Sequence, residues 1–245
     1  MQYQESFWKD EFRCITFDFE GREAVLVFPH EDNRTGKWML KTEYFRAFQE
    51  FELALVKQGF HLAYLRNLNR WGMDEDQDAK LRFRDFLVKE FGLESKCVPI
   101  GMSCGGLHAI KLAARHPEMV SAMYLDAPVV NLLSFPFYFG GEREPDYAVV
   151  EEMLSALSLT RLQMLYYREH PLDKIPALIA ARISMLLVWG DADEVVPWDE
   201  NARLLMEAYR QSDVPAMYMD MPGRGHHPHG PSDMDAAVAF IREHA

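Results

Sequence analysis

Cysteine is scarce in this 245-residue chain, which holds only Cys14, Cys97 and Cys104. Three thiols cannot all pair and none stands at a zinc-ligand spacing, so a disulfide framework is not expected and a reducing, cytoplasmic setting is. Basic residues are also in short supply: 26 Lys and Arg face 38 Asp and Glu, a formal net charge of −12. Such a surface repels phosphate backbones and anionic headgroups, so neither nucleic acid nor a membrane surface is an expected partner. No apolar run reaches the 18 or so residues a transmembrane helix needs. The opening MQYQESFWKDEF has no basic stretch leading into an apolar one, so no signal peptide is expected. Internal repeats and low-complexity tracts are missing too. Against these absences stand 49% hydrophobic and 26% charged residues, the composition of a globular protein with a sizeable core.

The hydrophobic pattern alternates between two periods. Strand-like runs cover 12–19 and 22–28, joined by a Glu20-Gly21 turn, and read as a hairpin. Apolar residues at helical spacing mark 41–57, which Gly59 terminates, and 78–91. Short apolar runs at 60–65, 97–102, 119–125, 185–189 and 216–221 predict strands, and 107–115, 200–210 and 234–244 predict helices. Strands alternating with helices imply an α/β fold: a mainly parallel sheet with helices on both faces. Sites on such sheets lie at the C-terminal ends of strands. The stretch 127–184 breaks the alternation and is too long for a structureless loop, so it is expected to be a small, mostly helical cap inserted into a core of 1–126 and 185–245. Its aromatic residues Phe135, Phe137, Tyr138 and Tyr166 are candidate substrate contacts, with burial inside the cap as the competing role.

Gly101-Met102-Ser103-Cys104-Gly105 falls between the strand at 97–102 and the helix at 107–115. A G-x-S-x-G segment in that context turns so sharply that the serine hydroxyl stands above the sheet edge. The Cys104 N–H then opens the helix, where it can donate to a developing oxyanion. Serine is a weak nucleophile and needs a histidine base held by an acid. Downstream, the strand MLLVWG runs into Asp191-Ala192-Asp193-Glu194, and Asp193 is the expected acid. Asp126, at the end of another strand, is its competitor, and Asp191 suits a loop-holding role. Then come Gly225-His226-His227-Pro228-His229-Gly230. The base is expected to be His226, with His227 and His229 beside it. Three histidines invite a metal, but all lie in one loop rather than on separate elements, so no metal or other cofactor is expected.

The segments GMSCGG, GDADEVVP and GRGHHPHG together resemble the α/β-hydrolase superfamily over most of the chain outside the cap. GHHPHG with YLDAP is similar to a bacterial, esterase-like subgroup, some members of which accompany carbohydrate-degrading enzymes. The resemblance implies Ser103 as nucleophile, Asp193 as acid and His226 as base, hydrolysing a carboxylic ester of a small molecule or an acetylated sugar. Many members of the superfamily carry His-Gly after the third strand, where an N–H completes the oxyanion hole. Here that place reads Phe28-Pro29-His30-Glu31; proline has no N–H, so His30 or Glu31 is the expected second donor beside Cys104. The same triad supports C–C hydrolase, peptidase or lyase chemistry, and a non-catalytic receptor on this fold is a third possibility.

Overall fold

The computed structural model describes residues 2–136 and 144–245. Among these residues nine strands form one sheet: β1 (Gln4–Trp8), β2 (Phe12–Phe19), β3 (Arg22–Val27), β4 (Trp38–Lys41), β5 (His61–Leu65), β6 (Val98–Met102), β7 (Ala122–Asp126), β8 (Ser184–Gly190) and β9 (Ala216–Met221). They lie in the order β1-β2-β3-β5-β4-β6-β7-β8-β9. The first three strands and the β3–β5 pair are antiparallel, and every pair from β5 to β9 is parallel. This is the α/β-hydrolase fold.

The central strands are buried on both faces, and their side chains alternate between two cores as a period of two requires. Met123, Leu125, Met185 and Leu187 point to one face, which is covered by α2 (Asp74–Phe91), α3 (Cys104–Arg115) and α7 (Ala202–Arg210) through residues such as Phe83, Ile110 and Leu205. Tyr124, Leu186 and Val188 point to the other face, covered by α1 (Glu50–Lys57) and α8 (Met234–His244) through Phe51, Leu55 and Ile241. Among the described residues no helix is long and apolar enough to cross a membrane. All three cysteines are buried and unpaired.

Two strands differ from the sequence-based expectation. β1 is an edge strand whose side chains are mostly exposed, so it lacks an alternating apolar signature. β4 ends at Lys41, where the helix expected over 41–57 begins, and its first three residues fall outside every expected element. Its four residues, WMLK, are all buried; Lys41 qualifies because its ammonium pairs with buried Glu52. Tyr44 and Phe48 then adopt φ of 53° and 46°, which an α-helix cannot contain. The helix begins only at Glu50.

Between β7 and β8 lie α4 (Tyr147–Leu157), α5 (Arg161–Met164) and α6 (Pro171–Ala180). Ile175 and Leu178 of α6 join the core cluster of α2, α3 and α7. α6 is therefore the crossover helix linking two parallel strands, and the excursion proper ends before it rather than at 184. Val150, Met153, Leu154 and Met164 of the excursion pack in a separate cluster with Trp71, Cys104, Leu107 and Val129. Glu152 ties α4 down, accepting from Trp71 Nε1 at 3.0 Å and from Arg70 at 2.9 and 2.5 Å.

Candidate active site

β6 delivers Ser103 to the C-terminal edge of the sheet with φ 52° and ψ −125°, a backbone conformation that costs energy for a residue with a Cβ. Close packing enforces it. A Cβ on Gly101 would sit 2.5 Å from the Gly105 carbonyl oxygen, and one on Gly106 only 2.3 Å from Pro128 Cβ. The turn is also bonded on both sides: Ser103 N–H donates to the Asp126 carbonyl at 3.1 Å, and Val129 N–H donates to the Ser103 carbonyl at 3.0 Å. Cys104 is the first residue of α3, where helical N–H groups have no intrahelical acceptor.

His226 brings the distant segments together. Its Nε2 lies 3.1 Å from Ser103 Oγ and its Nδ1 2.7 Å from Asp193 Oδ2. Asp193 Oδ1 accepts from the N–H groups of Val195 and Val196 at 2.9 and 2.8 Å, which fixes the carboxylate's orientation. Burial pushes the Asp193 carboxyl up, but the bonds from His226, Val196 and Val195 outweigh it and hold the group below its ordinary range. The other two acids of the sequence reading have different partners. Asp126, fully buried, accepts from Tyr124 Oη (3.1 Å), Arg224 Nη2 (2.8 Å) and Gly230 N–H (2.6 Å), and so anchors the histidine loop. Asp191 accepts from Gly223 N–H at 2.6 Å at the other end of that loop.

A cavity of about 240 Å³ opens beside Ser103, lined by Tyr44, Ala47, Phe48, Met102, His226, His227 and His229. Phe48 stacks on His227 with ring centroids 5.4 Å apart. Partial burial and the neighbouring His226 and His229 hold the His227 imidazole below its ordinary pKa. Of the expected aromatic contacts, Phe135 stacks on Trp71 instead, and Tyr166 stands 71% exposed; neither lines this cavity. Phe137 and Tyr138 lie outside the described residues.

The structure contradicts the placement of His30 and Glu31 at the oxyanion hole. β3 runs antiparallel to β5, pairing Val27 with Leu62 and Ala24 with Leu65, so its C-terminal end reaches the edge of the sheet opposite Ser103. There His30 pairs with Glu11 at 3.0 Å and the Glu31 side chain is 90% exposed. β6 has two parallel neighbours, β7 on one side and, on the side toward β3, β4. The loop following β4, Thr42 to Tyr44, packs on the nucleophile turn. Thr42 Oγ1 bonds the carbonyls of Ile100 (3.0 Å) and Gly105 (2.7 Å), and Asn67 Nδ2 donates to Thr42 O and Glu43 Oε2, both at 2.6 Å. The Tyr44 phenol lies against the Cys104 thiol; burial, then the nearby thiol and Glu43, hold the phenol's pKa well above its ordinary value, so it stays protonated. Burial likewise pushes Cys104 up to about 11, which makes the thiol a poor nucleophile. The signal that could have found Tyr44 was the end of β4, concealed by its buried lysine.

Comparison with known proteins places this geometry. The prolyl oligopeptidase family model matches residues 58–245. The chain belongs to that family. It is accordingly a serine hydrolase of the α/β-hydrolase superfamily. This prolyl oligopeptidase family member is 26% identical over 205 residues to the acylamino-acid-releasing enzyme of Sus scrofa, an alignment covering 76% of this chain and 26% of that one. The chain thus spans about a quarter of that relative's length. Similar solved structures include dipeptidyl peptidase 4 from Porphyromonas gingivalis, at 16% identity and a TM-score of 0.69, covering 99% of this chain and 35% of that one. Two others are similar along nearly their whole length: an S-formylglutathione hydrolase from Agrobacterium tumefaciens (15% identity, 100% and 97% coverage, TM-score 0.65) and Est1E from Butyrivibrio proteoclasticus (14%, 94% and 96%, 0.63). At these identities the likeness is one of fold.

Proposed function

We propose that the chain hydrolyses carboxylic esters with small acyl groups, using Ser103 as nucleophile, His226 as base and Asp193 as the acid that orients it. The observation that carries this is the single imidazole within hydrogen-bond reach of both Ser103 Oγ and Asp193 Oδ2. With Nδ1–H donating to Asp193, the Nε2 lone pair faces the serine hydroxyl and takes its proton as Oγ attacks the carbonyl. The oxyanion is bound by the Cys104 N–H and by a second donor from the Thr42–Tyr44 loop, for which the Tyr44 hydroxyl is our assignment. His226 returns the proton to the leaving alcohol, and water attacks the acyl-enzyme by the same route.

The cavity supports a small acyl group: about 240 Å³ falls below the ~300–1,000 Å³ typical of sites for drug-sized ligands. Amide or peptide cleavage is the second reading, favoured by the family and by the acylamino-acid-releasing relative. Turnover of an acyl-ester series from acetate upward, acetylated sugars and N-acetyl amino-acid amides separates the two, with Ser103→Ala as control. The proposal expects labelling of Ser103 by a fluorophosphonate and preference for short acyl esters. Turnover confined to amides installs the second reading, and a folded wild type that resists the probe removes the acyl-enzyme.

A further inference from the structure

The three histidines of the loop after β9 do more than supply one base. Lying in a single loop, they read in sequence as poor metal ligands, yet the loop folds back so that His226, His227 and His229 face one another. Their ring centroids are 4.8, 5.0 and 5.1 Å apart, each pair edge-to-face, and one ligand nitrogen from each lies within 4.8 Å of the others. Tetrahedral Zn²⁺ with Zn–N bonds of ~2.0–2.1 Å needs nitrogens about 3.3 Å apart. The remaining contraction is within reach of side-chain rotation, because His227 is exposed at the cavity mouth.

Two of the three rings also have the outer partner that metal-bound histidines use. Such histidines carry a carboxylate or carbonyl on the ring nitrogen that does not bind the ion, which fixes their orientation. His226 Nδ1 meets Asp193 Oδ2 at 2.7 Å. His229 Nδ1 lies 3.2 Å from Asp126 Oδ1, in ion-pair range though off the hydrogen-bond direction. In both, Nε2 is the nitrogen left for an ion. Phe48 completes the arrangement, flat on His227 and edge-on to His229 at 5.1 Å.

We infer that His226, His227 and His229 form a binding site for a first-row transition ion, Zn²⁺, Cu²⁺ or Ni²⁺, whose occupancy reversibly blocks hydrolysis. Neutral imidazoles suit these ions and not Mg²⁺ or Ca²⁺, which take oxygen ligands. The blockade follows from the shared atom: an ion on His226 Nε2 occupies the lone pair that faces Ser103 Oγ at 3.1 Å. That part rests on the proposed role of His226 as base; the binding site itself does not.

The test uses the tag-free chain and Co²⁺ as a spectroscopic probe. Wild type and Ser103→Ala should bind one Co²⁺ with the visible bands of nitrogen ligation in a low-coordinate site, and one equivalent of Zn²⁺ should displace it. His227→Gln and His229→Gln should each weaken binding by more than the ~10–100-fold that loss of an outer partner costs. Zn²⁺ should inhibit ester turnover by wild type, with full recovery on adding EDTA. The inhibitory concentration should rise at least tenfold in His227→Gln, scaled to that variant's own uninhibited rate. Absent Co²⁺ bands in folded wild type, bands that persist in both histidine variants, or bound Zn²⁺ that leaves turnover intact would each overturn the inference. His226→Ala separates the two layers: full turnover by that variant removes His226 as base, while the Co²⁺ titration still decides the metal site.

Discussion

An Asp193→Asn substitution exchanges one oxygen for an amino group and leaves the side chain's shape unchanged. The structure fixes which way the amide must turn. Oδ1 accepts from both Val195 and Val196 N–H groups at 2.9 and 2.8 Å, and an NH₂ placed there would oppose two donors. The asparagine therefore keeps its oxygen toward Val195 and Val196 and presents NH₂ to His226 Nδ1. That nitrogen must now accept, which puts the ring proton on Nε2, the atom that faces Ser103 Oγ. The base is then in the wrong tautomer while every heavy atom stays in place. The same exchange in a Ser-His-Asp triad lowers turnover about 10⁴-fold, or about 5 kcal/mol at 1.36 kcal/mol per tenfold. We expect a loss of that size in kcat with KM little changed, measured by saturation kinetics on the best ester substrate, and a circular-dichroism spectrum like that of wild type. A folded variant that keeps a tenth or more of wild-type kcat would refute the assignment of Asp193 as the orienting acid.

Tyr44→Phe removes only the phenolic hydroxyl and should lower kcat about 10²–10³-fold, the worth of one oxyanion donor; unchanged steady-state turnover would shift the second donor to a backbone N–H of the same loop. Gly106→Ala forces a Cβ to within 2.3 Å of Pro128 Cβ and 2.8 Å of its Cα, so thermal unfolding should report about 1–3 kcal/mol of destabilisation, and an unaltered Tm would show that Pro128 yields freely. His61 is buried and its pKa is lowered to about 4, first by burial. The unfolded chain takes up that proton near pH 6.5 and the folded chain only near pH 4, so stability falls as pH drops through this window, by about 3 kcal/mol. Denaturant titrations of His61→Asn between pH 6.5 and 4 should show a shallower decline; a slope equal to wild type would place the acid sensitivity elsewhere.

Much of the site is legible in the sequence because the chemistry demands unusual residues at strand ends. Ser103 stands in a glycine-bounded turn, Asp193 follows a strongly apolar strand, and His226 follows the next strand; the parallel order β6-β7-β8-β9 brings those ends to one edge. The parts that escape are those where a side chain's partner is remote. Lys41 reads as solvent-facing until Glu52 is known to neutralise it, and with it β4 and the loop bearing Tyr44 disappear. The hairpin strand β3 reads correctly as a strand, but its direction relative to β5 is a property of the sheet, and that direction carries His30 and Glu31 away from Ser103. The histidine cluster is likewise invisible in a linear GHHPHG, since mutual orientation depends on Asp126 and Asp193, each contributed from a distant strand end.

Asp126 also sets a limit on where this fold can be remodelled. Its carbonyl holds the nucleophile's N–H and its carboxylate holds the histidine loop, so a single residue spans the gap between segments 123 positions apart. The next few residues are pinned as well, Val129 to Ser103 and Val130 to Asn201 Oδ1 at 2.9 Å. The contacts that tie the end of β7 to the nucleophile turn are thus complete by Val130, before the chain leaves for α4 and α5. α4 and α5 pack on Cys104, Leu107 and Val129, so a change in that excursion reaches the nucleophile turn through side-chain packing and not through the hydrogen bonds that set its register. The cavity beside Ser103 is lined by Tyr44, Ala47, Phe48, Met102 and the histidine loop, so the residues that shape the space at the nucleophile are held by the same frame that registers the triad.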